Sequence, residues 1–229
     1  MTEKHLRAAA MNIRALSPII RERKWGDIFG AAGGIVEVRG ATGQILYNAG
    51  MPFLEDLKYV PDAAFYGSDV EDIVLPYECD KIGNSAFVGC TKLKRVLVEG
   101  PISSLGRAAF SYSGIESFPF SHMDETNFQV QRLPTGCFSN CLHLIEVTIP
   151  FGVISIGQNC FEHCIRLIDV WIPKTVTIIN DYAFAHCNKL RTIRYGGNMS
   201  DWRKVQKKPY WKNADDIRVY CVDGIILEQ

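Results

Sequence analysis

Ile156-Gly157-Gln158-Asn159-Cys160-Phe161-Glu162-His163-Cys164-Ile165-Arg166-Leu167-Ile168-Asp169-Val170-Trp171-Ile172-Pro173 decides the fold of this 229-residue chain, because the phrase recurs six times. Its fixed point is Phe161. The anchors are Phe65, Phe87, Phe110, Phe138, Phe161 and Phe184, at intervals of 22, 23, 28, 23 and 23 residues. A small residue or Cys precedes each anchor, and Cys or Ser follows at +3. Aliphatic residues then fall at +6, +9 and +11 in Leu93, Val96, Val98, in Leu144, Val147, Ile149, and in Leu167, Val170, Ile172.

That aliphatic spacing is Leu-x-x-Leu-x-Leu at a period of 20–29 residues, the mark of a leucine-rich repeat. One such unit holds a short strand and a return segment, too little to offset its ordering entropy alone. Stacked, the strands add to a parallel sheet at about 4.8 Å per rung, and each anchor lies over the one below. The fold class expected is therefore an α/β repeat solenoid, dominated by β structure, with short parallel strands on the concave face. Three segments of one structural domain follow: 1–59 as an N-terminal helix and capping hairpin, 60–195 as the six-repeat solenoid, and 196–229 as a C-terminal cap.

Two units depart from the pattern. The first and third lack one residue between anchor and strand (Phe65 to Val70, Phe110 to Ile115), yet the interval after Phe110 is the longest. The extra residues fall at Ser121-His122-Met123-Asp124-Glu125-Thr126-Asn127-Phe128, and Pro119 sits where a ladder hydrogen bond belongs. An irregular middle rung with a protruding loop is predicted, with Met123 and Phe128 as candidate contact residues on it.

At the N-terminus Leu6, Ala9, Ala10, Ile13 and Leu16 form a helical stripe, and Ser17-Pro18 reads as the start of a second helix through Lys24. Ile35 to Val38 and Gln44 to Tyr47 alternate like two strands around Gly40-Ala41-Thr42-Gly43. This segment is expected to cover the first rung. Residues 1–30 carry six Lys or Arg against three Asp or Glu, so contact with an anionic membrane surface is the alternative. Formal net charge is zero over the whole chain, which argues against nucleic acid as a partner. No run approaches the ~18 apolar residues of a transmembrane span. The first residues lack the apolar run of a secretory signal. The expectation is a cytoplasmic chain, or a surface or secreted one whose leader has been removed. After Tyr195, the aromatics Trp202, Tyr210 and Trp211 read as a hydrophobic lid on the last rung.

Cys137, Cys141, Cys160 and Cys164 look at first like a zinc quartet, with His163, His186 and Cys187 nearby. The repeat accounts for them better. Cys90, Cys141, Cys164 and Cys187 share the +3 phase with Ser68 and Ser113, while Cys137 and Cys160 share the −1 phase with Ala64, Ala86, Ala109 and Ala183. Such sites want a small buried side chain. Zinc needs converging ligands, whereas a phase ladder spreads them in a line. No metal or cofactor is therefore assigned, and a disulfide between adjacent rungs stays as the alternative to free thiols. His163 and His186 occupy the +2 turn position shared by Gly67, Gly89 and Asn140. No Gly-x-Ser-x-Gly, phosphate loop or carboxylate pair beside a nucleophile is present, so no catalytic residue is assigned.

Period-two alternation turns two columns outward on the strands. One is Asp72, Arg95, Ser117, Glu146, Asp169 and Thr192. The other is Val74, Leu97, Pro119, Thr148, Trp171 and Arg194. Candidate contact residues are Asp72, Arg95, Leu97, Glu146, Thr148, Asp169, Trp171, Thr192 and Arg194. Trp and Arg are the usual anchors of an interface, and the mixed charge suits a protein or glycan. The function expected is non-enzymatic binding through the concave sheet, by a monomer by default. The rival is a structural or self-assembling module without a specific ligand.

The stretch from Ile82-Gly83-Asn84-Ser85-Ala86-Phe87-Val88-Gly89-Cys90-Thr91-Lys92-Leu93, and its counterpart from Ile156 to Leu167, resemble the BspA-like leucine-rich repeats of bacterial surface antigens. The tail from Gly196 through Trp202 and Trp211 to Cys221-Val222-Asp223-Gly224 is similar to the closing segment of such arrays. The resemblance implies an adhesive, protein-binding or host-interacting role, usually at a cell surface.

Overall fold

Each rung turns on two backbone kinks that flank the anchor. The residue two before it and the residue two after it hold positive φ: Ser85 and Gly89 around Phe87 at 55° and 72°, Asn159 and His163 around Phe161 at 56° and 58°. This left-handed region suits Gly best, with Asn and His tolerated more readily than most residues. Between the kinks the anchor points inward, and its backbone N–H pairs with the next rung. Phe65 donates to Ala86 O, Phe87 to Ala109 O, Phe110 to Cys137 O, Phe138 to Cys160 O and Phe161 to Ala183 O, at 2.7–2.8 Å. The six rings stack in one file with centroids 5.0–5.4 Å apart and planes within 7° of parallel.

The computed structural model describes residues 38–39, 45–47, 58–68, 70–75, 77–213 and 216–228. The helices expected over 3–16 and 17–24 lie outside them. Of the expected hairpin, β1 (Val38–Arg39) and β2 (Ile45–Tyr47) form an antiparallel pair.

Two further faces close each rung. A narrow face carries two residues per rung: β3 (Tyr59–Val60), β5 (Lys81–Ile82) and β7 (Ser104–Leu105) pair in parallel, as do β8 (Arg132–Leu133), β10 (Ser155–Ile156), β12 (Ile178–Ile179) and β14 (Gln206–Lys207). The main strands form the other face. There β4 (Asp72–Leu75) pairs with β6 (Arg95–Val98), and β9 (Glu146–Thr148), β11 (Asp169–Ile172), β13 (Thr192–Tyr195) and β15 (Ile217–Cys221) run parallel, with β16 (Gly224–Glu228) antiparallel at the edge. The rungs approach closely: a Cβ on Gly157 would stand 2.3 Å from the Leu133 carbonyl oxygen. The result is a β-solenoid of leucine-rich repeat type.

The middle rung is irregular, as expected. Residues 115–120 form no strand, and among the described residues neither strand face pairs across this point. The extra residues do not protrude as a whole, and this corrects the reading of Met123 and Phe128 as open contact residues. Phe128 is 2% exposed and Met123 is 6% exposed. Phe118, Pro119 and Phe120 are buried too, so Pro119 is no part of an outward column. The three phenylalanines fill the gap beside the file: Phe118 lies 5.0 Å from Phe138, and Phe120 lies 5.1 Å from Phe128. Ser121, His122 and the tip at 124–126 stay in solvent. There Thr126 donates through its backbone N–H and its hydroxyl to Asp124 Oδ1, at 2.8 and 2.5 Å. These bonds favour the charged carboxylate and hold the Asp124 pKa below its ordinary range.

The C-terminal segment builds a seventh rung where the sequence pattern changes. β14 and β15 extend the two strand faces, and Lys212 bridges to Phe184 in the anchor's backbone place. Trp211, one residue earlier, turns its ring edge-on toward Phe184 at 6.3 Å. Trp202, fully buried on α1 (Met199–Lys204), lies 6.3 Å from Trp211 and 5.1 Å from Tyr195. Its indole N–H donates to Glu228, and Lys207 Nζ sits 4.6 Å over its ring.

Candidate binding groove

The register aligns the outward columns across the longer half of the main sheet. Glu146, Asp169, Thr192 and Arg218 stand side by side, as do Thr148, Trp171, Arg194 and Tyr220. Parallel strands at one register put equivalent side chains about 4.8 Å apart, close enough to act on one ligand. A groove of about 390 Å³ opens on this face, lined by Met123, Glu146, Thr148, Pro150, Phe151, Asp169, Trp171 and Arg194 among others. Five sequence candidates from three successive strands thus meet in one hollow. Arg194 pairs with Asp169 at 2.6 Å, and the Arg194 side chain stays 64% exposed. Trp171 is half-buried, so its ring presents a face to the groove while it packs.

The other candidates divide. Met123 reaches the groove as part of its wall, from a buried position, whereas Phe128 belongs to the core. Thr192 is half-buried on the same sheet, outside the groove lining. Asp72, Arg95 and Leu97 lie on the two-stranded portion, beyond the break at the third rung. Leu97 is 52% exposed there. Sequence reasoning missed Pro150 and Phe151, although an aromatic just after a strand-closing proline is a visible signal. It also missed Arg218 and Tyr220, because the columns were ended with the last recognised unit.

Seven of the eight cysteines are buried in the core as thiols that hydrogen-bond or pack there, and Cys221 lies half-buried against it. Each +3 thiol donates to the carbonyl of the preceding anchor: Cys90 to Phe65 at 2.8 Å, Cys141 to Phe110 at 3.1 Å, Cys164 to Phe138 at 3.2 Å and Cys187 to Phe161 at 3.0 Å. Ser68 and Ser113 share the phase for the same reason, since a hydroxyl also hydrogen-bonds. Burial pushes the Cys79 and Cys141 thiols up to about 12, and it raises Cys137, Cys160 and Cys164 as well. The turn histidines take the left-handed position, His163 at φ 58° and His186 at φ 59°. Their rings stack at 4.3 Å and 14°. Among the described residues no helix is long and apolar enough to cross a membrane.

Comparison with known proteins adds a family. A model described as the BspA type leucine rich repeat region matches residues 50–128 and 121–204, in six copies. No curated protein matches the chain. Among solved structures, a leucine rich cell surface protein of Faecalibacterium prausnitzii is similar at 20% identity and a TM-score of 0.42, over 76% of this chain and 60% of that one. A leucine-rich repeat protein of Bacteroides ovatus is similar at 21% identity and 0.44, over 67% and 49%. For a leucine rich repeat protein of T. pallidum the values are 22% and 0.47, over 69% and 77%. The chain thus spans about half to three-fifths of the first two.

Proposed function

The chain belongs to the BspA-type leucine-rich repeat family, whose repeats commonly serve as protein-interaction or surface modules, and on that premise we propose that it binds a protein partner through its main sheet, without catalysis. What supports the reading is the groove itself, where Glu146, Thr148, Asp169, Trp171 and Arg194 converge. A half-buried Trp gives a rigid apolar contact, and an Arg beside it gives a directional charged one. The Asp169 carboxylate holds the Arg194 guanidinium in place, which lowers the entropy lost when a partner carboxylate engages it. Nothing in the mechanism requires a moving part. A stacked solenoid presents its surface ready-made.

The test is affinity capture from matched host and source extracts, with wild type beside a Trp171→Ala/Arg194→Ala variant. Both side chains stand on the outward face of a strand, so the variant should stay folded, with a small drop in thermal midpoint for the lost Trp171 packing, and lose the partner. A control at Arg166, which is exposed outside the groove, should keep it. A partner held equally by both proteins would overturn the groove as the binding surface.

A further inference from the structure

The histidines at the turn raise a question that their position alone does not answer. Rungs one and two place glycine at the +2 kink, Gly67 at φ 65° and Gly89 at φ 72°. Rungs five and six place His163 and His186 there, at φ 58° and 59°. A left-handed residue other than glycine carries strain on the order of 1 kcal/mol or more. Rungs three and four carry it too, with Tyr112 at 58° and Asn140 at 59°, so what sets rungs five and six apart is the matched pair. Two histidines at successive rungs instead stand one above the other, with ring centroids 4.3 Å apart. Glu162 precedes the first of them, and one ligand atom from each of Glu162, His163 and His186 lies within 4.8 Å of the others.

We propose that Glu162, His163 and His186 form a binding site for one divalent transition-metal ion of the zinc class. Two imidazole nitrogens and one carboxylate oxygen are a donor set such ions favour, with a fourth position left for water or a partner's ligand. Nitrogens on one tetrahedral ion stand about 3.3 Å apart at bond lengths near 2.0–2.1 Å. To meet on one ion, the two rings must leave their near-parallel stack by rotation about their side-chain bonds. The surroundings orient the set. Asn159 Nδ2 donates to Glu162 Oε2 at 2.7 Å, and the His163 backbone N–H donates to Ala185 O at 2.9 Å. Asn213 Oδ1 takes the His186 backbone N–H at 3.0 Å. Of these, only the Asn159 bond reaches a ligand side chain, the kind of contact commonly worth about 10–100-fold in metal affinity, while the two backbone bonds fix where the rings start. The buried cysteines play no part, since each +3 thiol is engaged with a carbonyl inside the core.

The probe is Zn²⁺ alone, titrated by calorimetry against the whole chain, with Co²⁺ as the spectroscopic reporter. His163→Gly/His186→Gly restores the residue that rungs one and two use, so the apo variant should melt no lower than wild type. Wild type should take up one Zn²⁺ saturably and gain thermal stability with it. The double variant should bind at least about 100-fold more weakly, and Glu162→Gln about 10-fold more weakly. Absence of saturable Zn²⁺ binding by wild type would overturn the site. So would a double variant that titrates like wild type, or a Co²⁺ spectrum with thiolate charge-transfer bands. If the double variant fails to fold, Glu162→Gln decides: unchanged affinity there sinks the proposal.

Discussion

Cys141 shows how much a single repeat position can tell. Its phase, shared with Ser113, says small and weakly hydrogen-bonding, and its thiol does donate to the Phe110 carbonyl at 3.1 Å. What the phase does not reveal is the chemistry of the buried sulfur. Cys79 and Cys141 are raised to about 12, and Cys137, Cys160 and Cys164 move the same way, all chiefly by desolvation. An unfolded thiol ionises at about 8.5–9. Above that pH the unfolded chain releases protons that the folded chain still holds. Stability is therefore fully present below pH 9 and lost as pH climbs toward 12, by roughly 1 kcal/mol per thiol per pH unit. Urea midpoints should stay level from pH 7 to 8.5 and fall steeply by pH 10. A midpoint that held at pH 10 would mean the sulfurs are solvated. The anchors were legible at this scale for a plain reason. A six-fold repeat of one large apolar residue leaves stacking as the way to bury it.

At the scale of elements, legibility depended on whether the repeat persisted. Strands such as β11 and β13 follow from the aliphatic spacing, and their register follows from equal unit lengths. The middle rung was visible as an anomaly, but its outcome was not. The interval and Pro119 announce broken pairing, whereas the inward packing of Phe118, Phe120 and Phe128 depends on a void whose shape no spacing encodes. The seventh rung was hidden because Lys212 replaces the anchor and Trp211 does its covering work from one position away. Trp202 completes that end from α1, bonding to Glu228 of the edge strand. Trp202→Ala should destabilise the protein by about 3–5 kcal/mol, with a cavity beneath Tyr195 and Trp211. Because rungs couple mainly to their neighbours, protease sensitivity should appear first within 196–228. Cleavage spread evenly along the chain would argue that the cap closes nothing.

Among the described residues three ladders run along the axis of the molecule, and one of them is continuous. The anchor turns pair from Ala63 to Asp181 and beyond, rung after rung, and the phenylalanine file runs with them. Both strand faces stop between the third and fourth rungs: β7 does not pair with β8, nor β6 with β9. The junction is carried by the Phe110–Phe138 stack, by the Ile102–Phe128 bridge, and by turn bonds such as Tyr112 N–H to Ser139 O. In a stacked array stability is close to a sum of nearest-neighbour terms, so a junction lacking two of three ladders is where cooperativity weakens. The five strands of the C-terminal sheet support one another, whereas among the described residues β4 and β6 form a sheet of two strands. Hydrogen exchange should therefore divide the chain. Amides of β11 and β13 should exchange only through global opening, with protection tracking the full unfolding free energy. Amides of β4 and β6 should exchange through a smaller opening of the N-terminal rungs, at least about 10-fold faster and with weaker dependence on denaturant. The groove residues all lie on the slow side of that boundary or in its filling, which keeps Glu146, Asp169, Trp171 and Arg194 in register while the other half breathes. Equal protection of β4 and β11 at every denaturant concentration would show that the anchor ladder alone transmits cooperativity, and that the break separates nothing.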